Sequence, residues 1–213
     1  MNMEKRIAVF DFDGTLIRGD SVVALLFFGR KEGKLSAWEL VKTGWYGLLY
    51  HLRLVDALTA KGHSHAFLAR MDDGERQAFL RAFAGTLTAR VYAQGLAQIK
   101  KHQAQGEQVI LCSASCQCYM RYVAETLGVD ALLCTPSHAD GTVLGPNCRG
   151  EEKVRQLQDW LEQQGGALDC IVAAYGDTPG DAPILRASQH PVLVNAKKKL
   201  RRMMPDAEQV NWQ

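Results

Sequence analysis

The sequence lacks the features that mark several specialised classes of protein. Its 25 lysines and arginines nearly balance 23 acidic residues, and a net charge of +2 at pH 7 gives no bulk affinity for nucleic acid. The chain has no run of about 18 apolar residues, so we expect no membrane span. Residues 1–6 are polar and a strand pattern follows at once, so we expect no signal peptide and a cytoplasmic protein.

The six cysteines lack the spacing of a metal or redox site, because none forms a C-x-x-C pair. Cys112, Cys116 and Cys118 lie close together, but zinc would need a second group of ligands that the sequence does not supply. We therefore expect free thiols in a reducing compartment. The 213 residues are enough for one sizeable globular domain, or for one domain that carries an insert.

Strand and helix patterns alternate from residue 107 onward. Mainly apolar runs predict strands at 108–112, 129–134, 169–175 and 191–195, and helical spacing predicts helices at 116–127, 151–164 and 183–187. Asp140 and Gly141 predict a hairpin-like turn. Because strands that alternate with helices form parallel sheets, we expect an α/β fold with a Rossmann-like three-layer parallel sheet.

Residues 19–86 differ from the rest of the chain because no strand pattern interrupts them. They predict helices at 21–30, 35–58, 63–70 and 73–84, and a helix at 88–104 then returns the chain to the sheet. We expect an all-helical cap at 19–86, inserted after the first strand. The core would consist of residues 1–18 and 87–213.

The most informative segment is an apolar run at residues 7–10 that leads into Asp11, Asp13 and Gly14. A run without polar alternation predicts a buried parallel strand, whose carboxyl end lies where open α/β sheets bind ligands. Two carboxylates one residue apart repel each other unless a cation or a proton accompanies them. The segment therefore indicates a metal-assisted site with one acid as nucleophile and the other as acid/base. The alternative is a surface turn.

Polar residues also follow other predicted elements. Ser113 comes directly after a strand, Lys153 lies near a helix start, and Asp177 and Asp181 follow a later strand. Each has an ordinary alternative, since serine and aspartate form caps and turns and lysine is usually solvated. Parallel strands would bring them to the same edge as Asp11. Together they supply a nucleophile, an acid, a hydroxyl, a cation and metal ligands.

These motifs resemble those of the haloacid dehalogenase superfamily, whose members are mostly phosphatases with an aspartate nucleophile. The first motif, D-x-D-G-T, matches residues 11–15, and the fourth, G-D-x3-D, matches residues 176–181. Ser113 and Lys153 match the second and third motifs, in the family's order. A helical insert directly after the first motif resembles the phosphoserine-phosphatase-like branch, which has a cap over a Rossmann-like core.

The resemblance implies Mg²⁺ as the cofactor and a role for each acidic residue. Asp11 is the implied nucleophile, which forms an aspartyl-phosphate, and Asp13 is the implied acid/base. Mg²⁺ would bind Asp11, Asp177 and the backbone carbonyl of Asp13. Asp181 is the remaining member of the implied metal site and would support it from behind the direct ligands.

The resemblance also implies a substrate site. Ser113 and Lys153 would hold phosphoryl oxygens, and Ala114 and Asp20 would contact the substrate. Asp20 stands near the position where phosphoserine phosphatase carries a glutamate for the substrate's amino group. The chain departs from that enzyme in having Ser-Ala-Ser at 113–115. It also has no clear cap arginine for a substrate carboxylate, and Arg53 is the nearest candidate. We therefore predict a phosphatase of a small or lipid-linked phosphomonoester, and phosphoserine is not favoured.

Other functions stay open at this stage. A phosphotransferase or mutase would use the same intermediate but pass the phosphoryl group to an acceptor other than water. A phosphatidylglycerophosphate phosphatase would act at the membrane surface. A non-catalytic binding module would be expected to have lost a motif residue, and none is missing. The expected partner is a small-molecule phosphate ester rather than nucleic acid, and the expected state is a monomer or homodimer.

The cap segment is unusually apolar and aromatic. Trp38, Trp45, Tyr46 and Tyr50 lie among leucines at 48, 49, 52 and 54. We favour packing within the cap's own small core, and the alternative is an interfacial helix that touches lipid headgroups. The basic run at 197–202 would attract anionic lipid, although a solvated helix end is the commoner reason for such a run. Peripheral membrane contact is thus the second interpretation.

Overall fold

The computed structural model describes residues 6–213, apart from the side chain of residue 51. The described residues contain one six-stranded sheet in the order β3-β2-β1-β4-β5-β6, with every neighbouring pair parallel. The strands are β1 (Ile7–Phe10), β2 (Gln108–Cys116), β3 (Ala131–Thr135), β4 (Ile171–Gly176), β5 (His190–Val194) and β6 (Glu208–Val210). The prediction of an α/β fold with a parallel sheet is therefore confirmed. Residues 1–5 of the predicted core lie outside the described residues.

Helices precede, connect and cover the strands. They are α1 (Ser21–Lys31), α2 (Ala37–His51), α3 (Ala57–His65), α4 (Asp73–Thr88), α5 (Ala93–Ala104), α6 (Gln117–Leu127), α7 (Glu151–Glu162), α8 (Ala182–Arg186) and α9 (Lys198–Met203). Short 3-10 turns occupy Ala66–Arg70, Leu168–Cys170 and Pro179–Asp181. Among the described helices, none combines the length and apolar character needed to cross a bilayer.

The central strand β1 is buried on both faces, as its unbroken apolar sequence predicts. Ala8 and Phe10 belong to one hydrophobic cluster, and Ile7 and Val9 belong to the other, because successive side chains of a strand point to opposite faces. The first cluster also contains cap residues such as Phe83. The cap therefore packs directly onto one face of the sheet.

The cap is helical as expected, but two predicted helices are wrong. The helix predicted at 63–70 is in fact the end of α3 followed by the 3-10 turn Ala66–Arg70. The pattern at 35–58 predicts a continuous helix, whereas the structure ends α2 at His51 and begins α3 at Ala57. Arg53 adopts a left-handed conformation with φ of 60°, and Asp56 accepts a hydrogen bond from the amide of Thr59 at the start of α3. The resulting helical hairpin α2–α3 contacts the core through Tyr50 and Lys61.

The prediction that the apolar segment packs within the cap's own small core is also wrong for part of that segment. Trp38, Trp45, Leu48, Leu52 and Leu54 are exposed. The physical reason is that α2 packs mainly against α1 and α3, and its exposed apolar side chains lie on the face turned away from those helices. Smaller differences concern element ends, since α4 runs on to residue 88 and α5 begins only at residue 93.

Candidate active site

The four sequence motifs meet at the carboxyl edge of the sheet. Asp11 directly follows β1, and its amide continues the ladder by donating to the carbonyl of Tyr175 in β4 at 3.0 Å. Ser113 lies on β2 beside β1, Asp177 follows β4, and Lys153 lies in the first turn of α7. All four residues are buried. The parallel topology thus brings residues that are far apart in the sequence to one place, as expected.

Lys153 joins two of the acidic residues. Its Nζ atom lies 2.6 Å from Oδ1 of Asp11, 2.7 Å from Oδ1 of Asp181 and 2.8 Å from the carbonyl oxygen of Cys112. Burial disfavours the ammonium, but the two carboxylates outweigh burial and raise the pKa of Lys153 well above its usual value. The lysine is therefore a fixed positive charge beside Asp11, and its surface-residue interpretation is excluded.

Both oxygens of Asp181 are engaged within the protein. Oδ1 accepts from Lys153, and Oδ2 accepts from the amide and hydroxyl of Thr178 at 2.9 and 2.8 Å. Burial alone would raise the pKa of Asp181, but Lys153 and the Thr178 donors lower it. This geometry suits a residue that holds Lys153 in place better than one that binds an ion directly.

Asp11, Asp177 and Asp181 each offer a carboxylate oxygen within 4.8 Å of the others. Oδ1 of Asp177 is buried and has no hydrogen-bond partner among the described residues, which is costly for a carboxylate. Burial, followed by repulsion from Asp11 and Asp181, raises the pKa of Asp177 to about 8. Burial, followed by repulsion from Asp181, raises the pKa of Asp11 to about 6 against the opposing effect of Lys153. Hard oxygen ligands with unmet negative charge fit a cation such as Mg²⁺.

Gly14 keeps the approach to Asp177 open. It adopts a φ of +85°, and a Cβ atom at this position would lie 2.3 Å from Oδ2 of Asp177. A larger residue would therefore be strained and would displace the carboxylate. The glycine of the first motif is required by this close approach as well as by the turn.

Asp13 points away from the carboxylate cluster into a hydroxyl network. Its Oδ1 accepts from the amide of Ser21 at 2.6 Å, and its Oδ2 accepts from the hydroxyls of Ser21 and Ser115 at 2.9 and 2.5 Å. The Ser21 hydroxyl also lies 2.8 Å from the hydroxyl of Tyr119. Burial first, and then the charge of Asp20, raise the pKa of Asp13 to about 7 despite these donors. Such a carboxyl group can both give and take a proton near neutral pH.

The remaining predicted substrate residues lie around this network. Ser113 Oγ accepts from the amide of Ser115 at 3.1 Å, which leaves its hydroxyl proton available. Asp20 is exposed and caps α1, with Oδ1 accepting from the amides of Val22 and Val23. The carbonyl of Ala114 accepts from the hydroxyl of Thr135 at 2.6 Å. Their roles toward a substrate stay predictions.

Sequence reasoning missed Lys61, which reaches the site from the cap helix α3. Its ammonium contacts the carbonyl of Ala114 and the amide oxygen of Asn147, and it lies 3.1 Å from Oγ1 of Thr135. Burial lowers its pKa. Nothing in the local sequence distinguishes this lysine from a solvated one, because its partners are 53 to 86 residues away. Sequence reasoning also missed Ser21. This residue follows Asp20 at a helix start, and its hydrogen bonds to Asp13 are seen only in the structure.

Comparison with known proteins agrees with this geometry. Residues 8–186 match the family model of the haloacid dehalogenase-like hydrolases. The chain is 25% identical to a histidinol-phosphatase of Neisseria meningitidis serogroup C (strain 8013), and the alignment covers 98% of this chain and 97% of that protein.

Two solved structures share the fold. A protein of unknown function from Bordetella pertussis Tohama I superposes with a TM-score of 0.88 and 24% identity, covering 98% of this chain and 99% of that one. A substrate-bound phosphoserine phosphatase superposes with a TM-score of 0.67 and 15% identity, covering 98% and 94%. At these identities the likeness is one of fold, and it extends over the cap as well as the sheet.

Proposed function

The chain belongs to the haloacid dehalogenase-like hydrolases and is a phosphatase, and from this premise we propose a magnesium-dependent hydrolysis of phosphate monoesters through an aspartyl-phosphate on Asp11. The observation that carries the proposal is the surroundings of Asp11. The buried ammonium of Lys153 contacts one of its oxygens, and the unpartnered carboxylate of Asp177 lies close by. Lys153 neutralises charge on one side of the nucleophile, and a cation held by Asp177 would do so on the other.

The proposed reaction has two steps. A carboxylate oxygen of Asp11 forms a bond to phosphorus while the bond from phosphorus to the leaving oxygen breaks, and Asp13 donates a proton to that oxygen. Asp13 then takes a proton from water, and the water oxygen bonds to phosphorus as the bond to Asp11 breaks. Phosphate leaves, and both carboxyl groups return to their starting states.

Other residues of the chain orient these groups. Lys153 fixes the nucleophile, and Asp181 fixes Lys153. The hydroxyl of Ser113 donates to a phosphoryl oxygen. Mg²⁺ held by Asp11, Asp177 and the carbonyl of Asp13 would supply positive charge that reduces repulsion between nucleophile and phosphate.

We further propose that the substrate is a small or lipid-linked phosphomonoester. The exposed carboxylate of Asp20 lies close enough to Asp13 to raise its pKa, and such a charge at the entrance suits an ester with an amino group. Histidinol phosphate, the substrate class named for the Neisseria relative, is thus the first compound to test. We place the protein in the cytoplasm, where its free cysteines would stay reduced.

The deciding experiment compares phosphate release by the wild type and by Asp11→Asn with Mg²⁺ present and water as the only acceptor. The panel contains histidinol phosphate, phosphoserine, sugar phosphates, nucleotides and phosphatidylglycerophosphate. We expect Asp11→Asn to lower turnover by on the order of 10³-fold or more. The matched control is Asp159→Asn, which changes an exposed aspartate on α7.

Three results would contradict the proposal. Undiminished turnover in Asp11→Asn would exclude Asp11 as the nucleophile. Equal activity with and without EDTA would exclude the metal requirement. The protein would be a phosphotransferase if it passed the phosphoryl group to an added alcohol or sugar and released no phosphate when that acceptor was left out.

A further inference from the structure

The cap helix α2 carries an exposed apolar stripe, here called the cap stripe. Its residues recur at helical spacing of three and four, and their exposed fractions run from 46% to 75%. They are Trp38, Val41, Trp45, Leu48 and Leu52. A stripe of this width normally faces a protein core, but this one faces solvent.

The opposite face of α2 already satisfies the packing needs of the helix. Thr43 is buried there, and the ring of Tyr46 stacks on His63 of α3 with centroids 3.5 Å apart. A capping box between Ser36 and Glu39 stabilises the first turn. The cap stripe is therefore not needed to hold α2 in the cap, and its large apolar residues require another explanation.

A second unpartnered surface lies on α9 and is here called the basic patch. Its cationic residues are all exposed, and none forms an ion pair with any other described residue. They are Lys197, Lys198, Lys199, Arg201 and Arg202. Only Leu200 of this segment is buried, which anchors the helix to the core. Lys197 lies near enough to Asp177 to lower the pKa of that carboxyl group, and the four other cations face outward.

The helices that carry the two surfaces are both linked to elements at the carboxyl edge of the sheet. Near the end of α2, the hydroxyl of Tyr50 accepts a hydrogen bond from Arg149 at 3.3 Å. The side chain of Arg149 also lies against Gly180, in the 3-10 turn that packs against α9. The amide of Lys197 in turn donates to the carbonyl of Asp177 at 2.9 Å. The cap stripe and the basic patch therefore flank the candidate active site from neighbouring elements.

We propose that the cap stripe and the basic patch together dock the protein on an anionic lipid bilayer. Tryptophan favours the interface between headgroups and acyl chains, and exposed lysine and arginine bind anionic headgroups. A dimer formed by two copies of the cap stripe would cover the apolar side chains but would leave the basic patch unexplained. An anionic bilayer complements both surfaces.

The test measures sedimentation of the full chain with vesicles of phosphatidylglycerol and phosphatidylcholine, and with phosphatidylcholine alone. We expect binding to the anionic vesicles at low salt, weaker binding at high salt, and little binding to neutral vesicles. Binding should shift the tryptophan emission to the blue, and brominated acyl chains should quench it. Size-exclusion chromatography coupled to light scattering gives the oligomeric state under the same conditions.

Two pairs of variants separate the contributions. Lys198→Gln/Lys199→Gln should lower the partition constant roughly 30-fold, whereas Lys100→Gln/Lys101→Gln, at the far end of α5 near the opposite edge of the sheet, should leave it unchanged. Trp45→Gln/Leu48→Gln should abolish both the blue shift and most of the binding. Leu144→Gln, which changes a similarly exposed leucine outside the cap, should have little effect.

The substituted side chains are exposed, so each variant should keep the far-ultraviolet circular dichroism and soluble-ester turnover of the wild type. Failure of the wild type to bind anionic vesicles at low salt would overturn the proposal. The proposal would also be overturned if the wild type formed a stable homodimer that did not bind vesicles and that the Trp45→Gln/Leu48→Gln substitutions dissociated. Neither result would affect the assignment of the phosphatase site.

Discussion

Oδ1 of Asp11 lies 2.6 Å from Nζ of Lys153, although 142 residues separate them in the sequence. The same ammonium contacts Asp181, so two buried carboxylates share one buried cation. Lys153 stabilises both carboxylates, which repel each other, and they in turn stabilise the buried ammonium. This triad therefore links the stability of the protein to its proposed chemistry.

Replacing Lys153 with methionine should remove activity and lower the free energy of unfolding by about 3–5 kcal/mol, because two carboxylates would be left without a cation. Urea unfolding measures the loss, and Lys101→Met is the exposed control. Lys153→Met/Asp181→Asn should recover part of the stability without recovering activity. An unchanged unfolding midpoint in Lys153→Met would contradict the ion-pair account.

Asp13→Asn should separate the two proposed steps when p-nitrophenyl phosphate is the substrate. This leaving group needs no proton, so the first step survives, whereas the attack of water lacks its base. We expect a burst of one nitrophenol per enzyme followed by turnover slower by about 10²–10⁴-fold. Stopped-flow absorbance shows the burst. If the variant lost both the burst and the turnover, Asp13 would instead be needed for substrate binding or for folding.

Asp177→Asn should cancel the response of the protein to Mg²⁺. With a free ion concentration of 100 times its dissociation constant, Mg²⁺ should stabilise the wild type by about 2.7 kcal/mol and the variant by far less. The metal-free variant should be at least as stable as the wild type, because the substitution removes an unpartnered buried carboxylate. Calorimetry with and without EDTA measures both effects. Equal magnesium stabilisation of the two proteins would exclude Asp177 as a ligand.

Lys61→Met should loosen the cap from the core without unfolding either. The substitution removes the ammonium that contacts Ala114, Thr135 and Asn147, while most of the apolar stem is kept. We expect amide exchange in α3 to become faster by roughly 30-fold, equivalent to about 2 kcal/mol, with exchange in α7 unchanged. Lys42→Met, on the exposed side of α2, is the control. Identical exchange in α3 would show that Lys61 does not hold the cap.

His65 should make stability depend on pH in the mildly acidic range. Burial first, and then the nearby charge of Lys61, lower its pKa in the folded state to about 4, against 6.5 when exposed. Between these values the unfolded state binds more protons, so stability rises with pH and is lost as pH falls from 6.5 toward 4. The full effect is about 3 kcal/mol. Chemical unfolding across this range should give a shallower slope for His65→Phe than for the wild type, and parallel slopes would refute the assignment.

The sequence was sufficient to predict the sheet, the helical insert and the meeting of the motif residues. Those predictions depend on the parallel direction of the strands, which an unbroken apolar run such as residues 7–10 already indicates. The break between α2 and α3 could not be predicted, because it depends on the left-handed conformation of Arg53. A residue without a glycine's freedom adopts that conformation only when the surrounding fold imposes it.

The site was predicted where the chemistry follows from residue type and missed where it depends on distant contacts. The orphaned oxygen of Asp177 and the bridging position of Lys153 agree with the roles that the motif implies. Lys61 and Ser21 act through partners from separate elements, and no local spacing encodes such pairs. The exposure of Trp38 could not be predicted because helical periodicity identifies an apolar face without specifying what covers it.

The position of β1 at the centre of the sheet also bears on how this protein can evolve. β1 lies between β2 and β4, which come much later in the chain, and Asp11 and Asp13 follow directly at its end. The chain then forms the whole cap before it returns to the sheet as β2. The outward face of the cap can therefore vary without moving Asp11, whereas Ser21 and Lys61 are constrained because they contact Asp13 and the strand that carries Ala114. Such a layout lets the cap helices alter what enters the site while the sheet keeps the carboxylates in place.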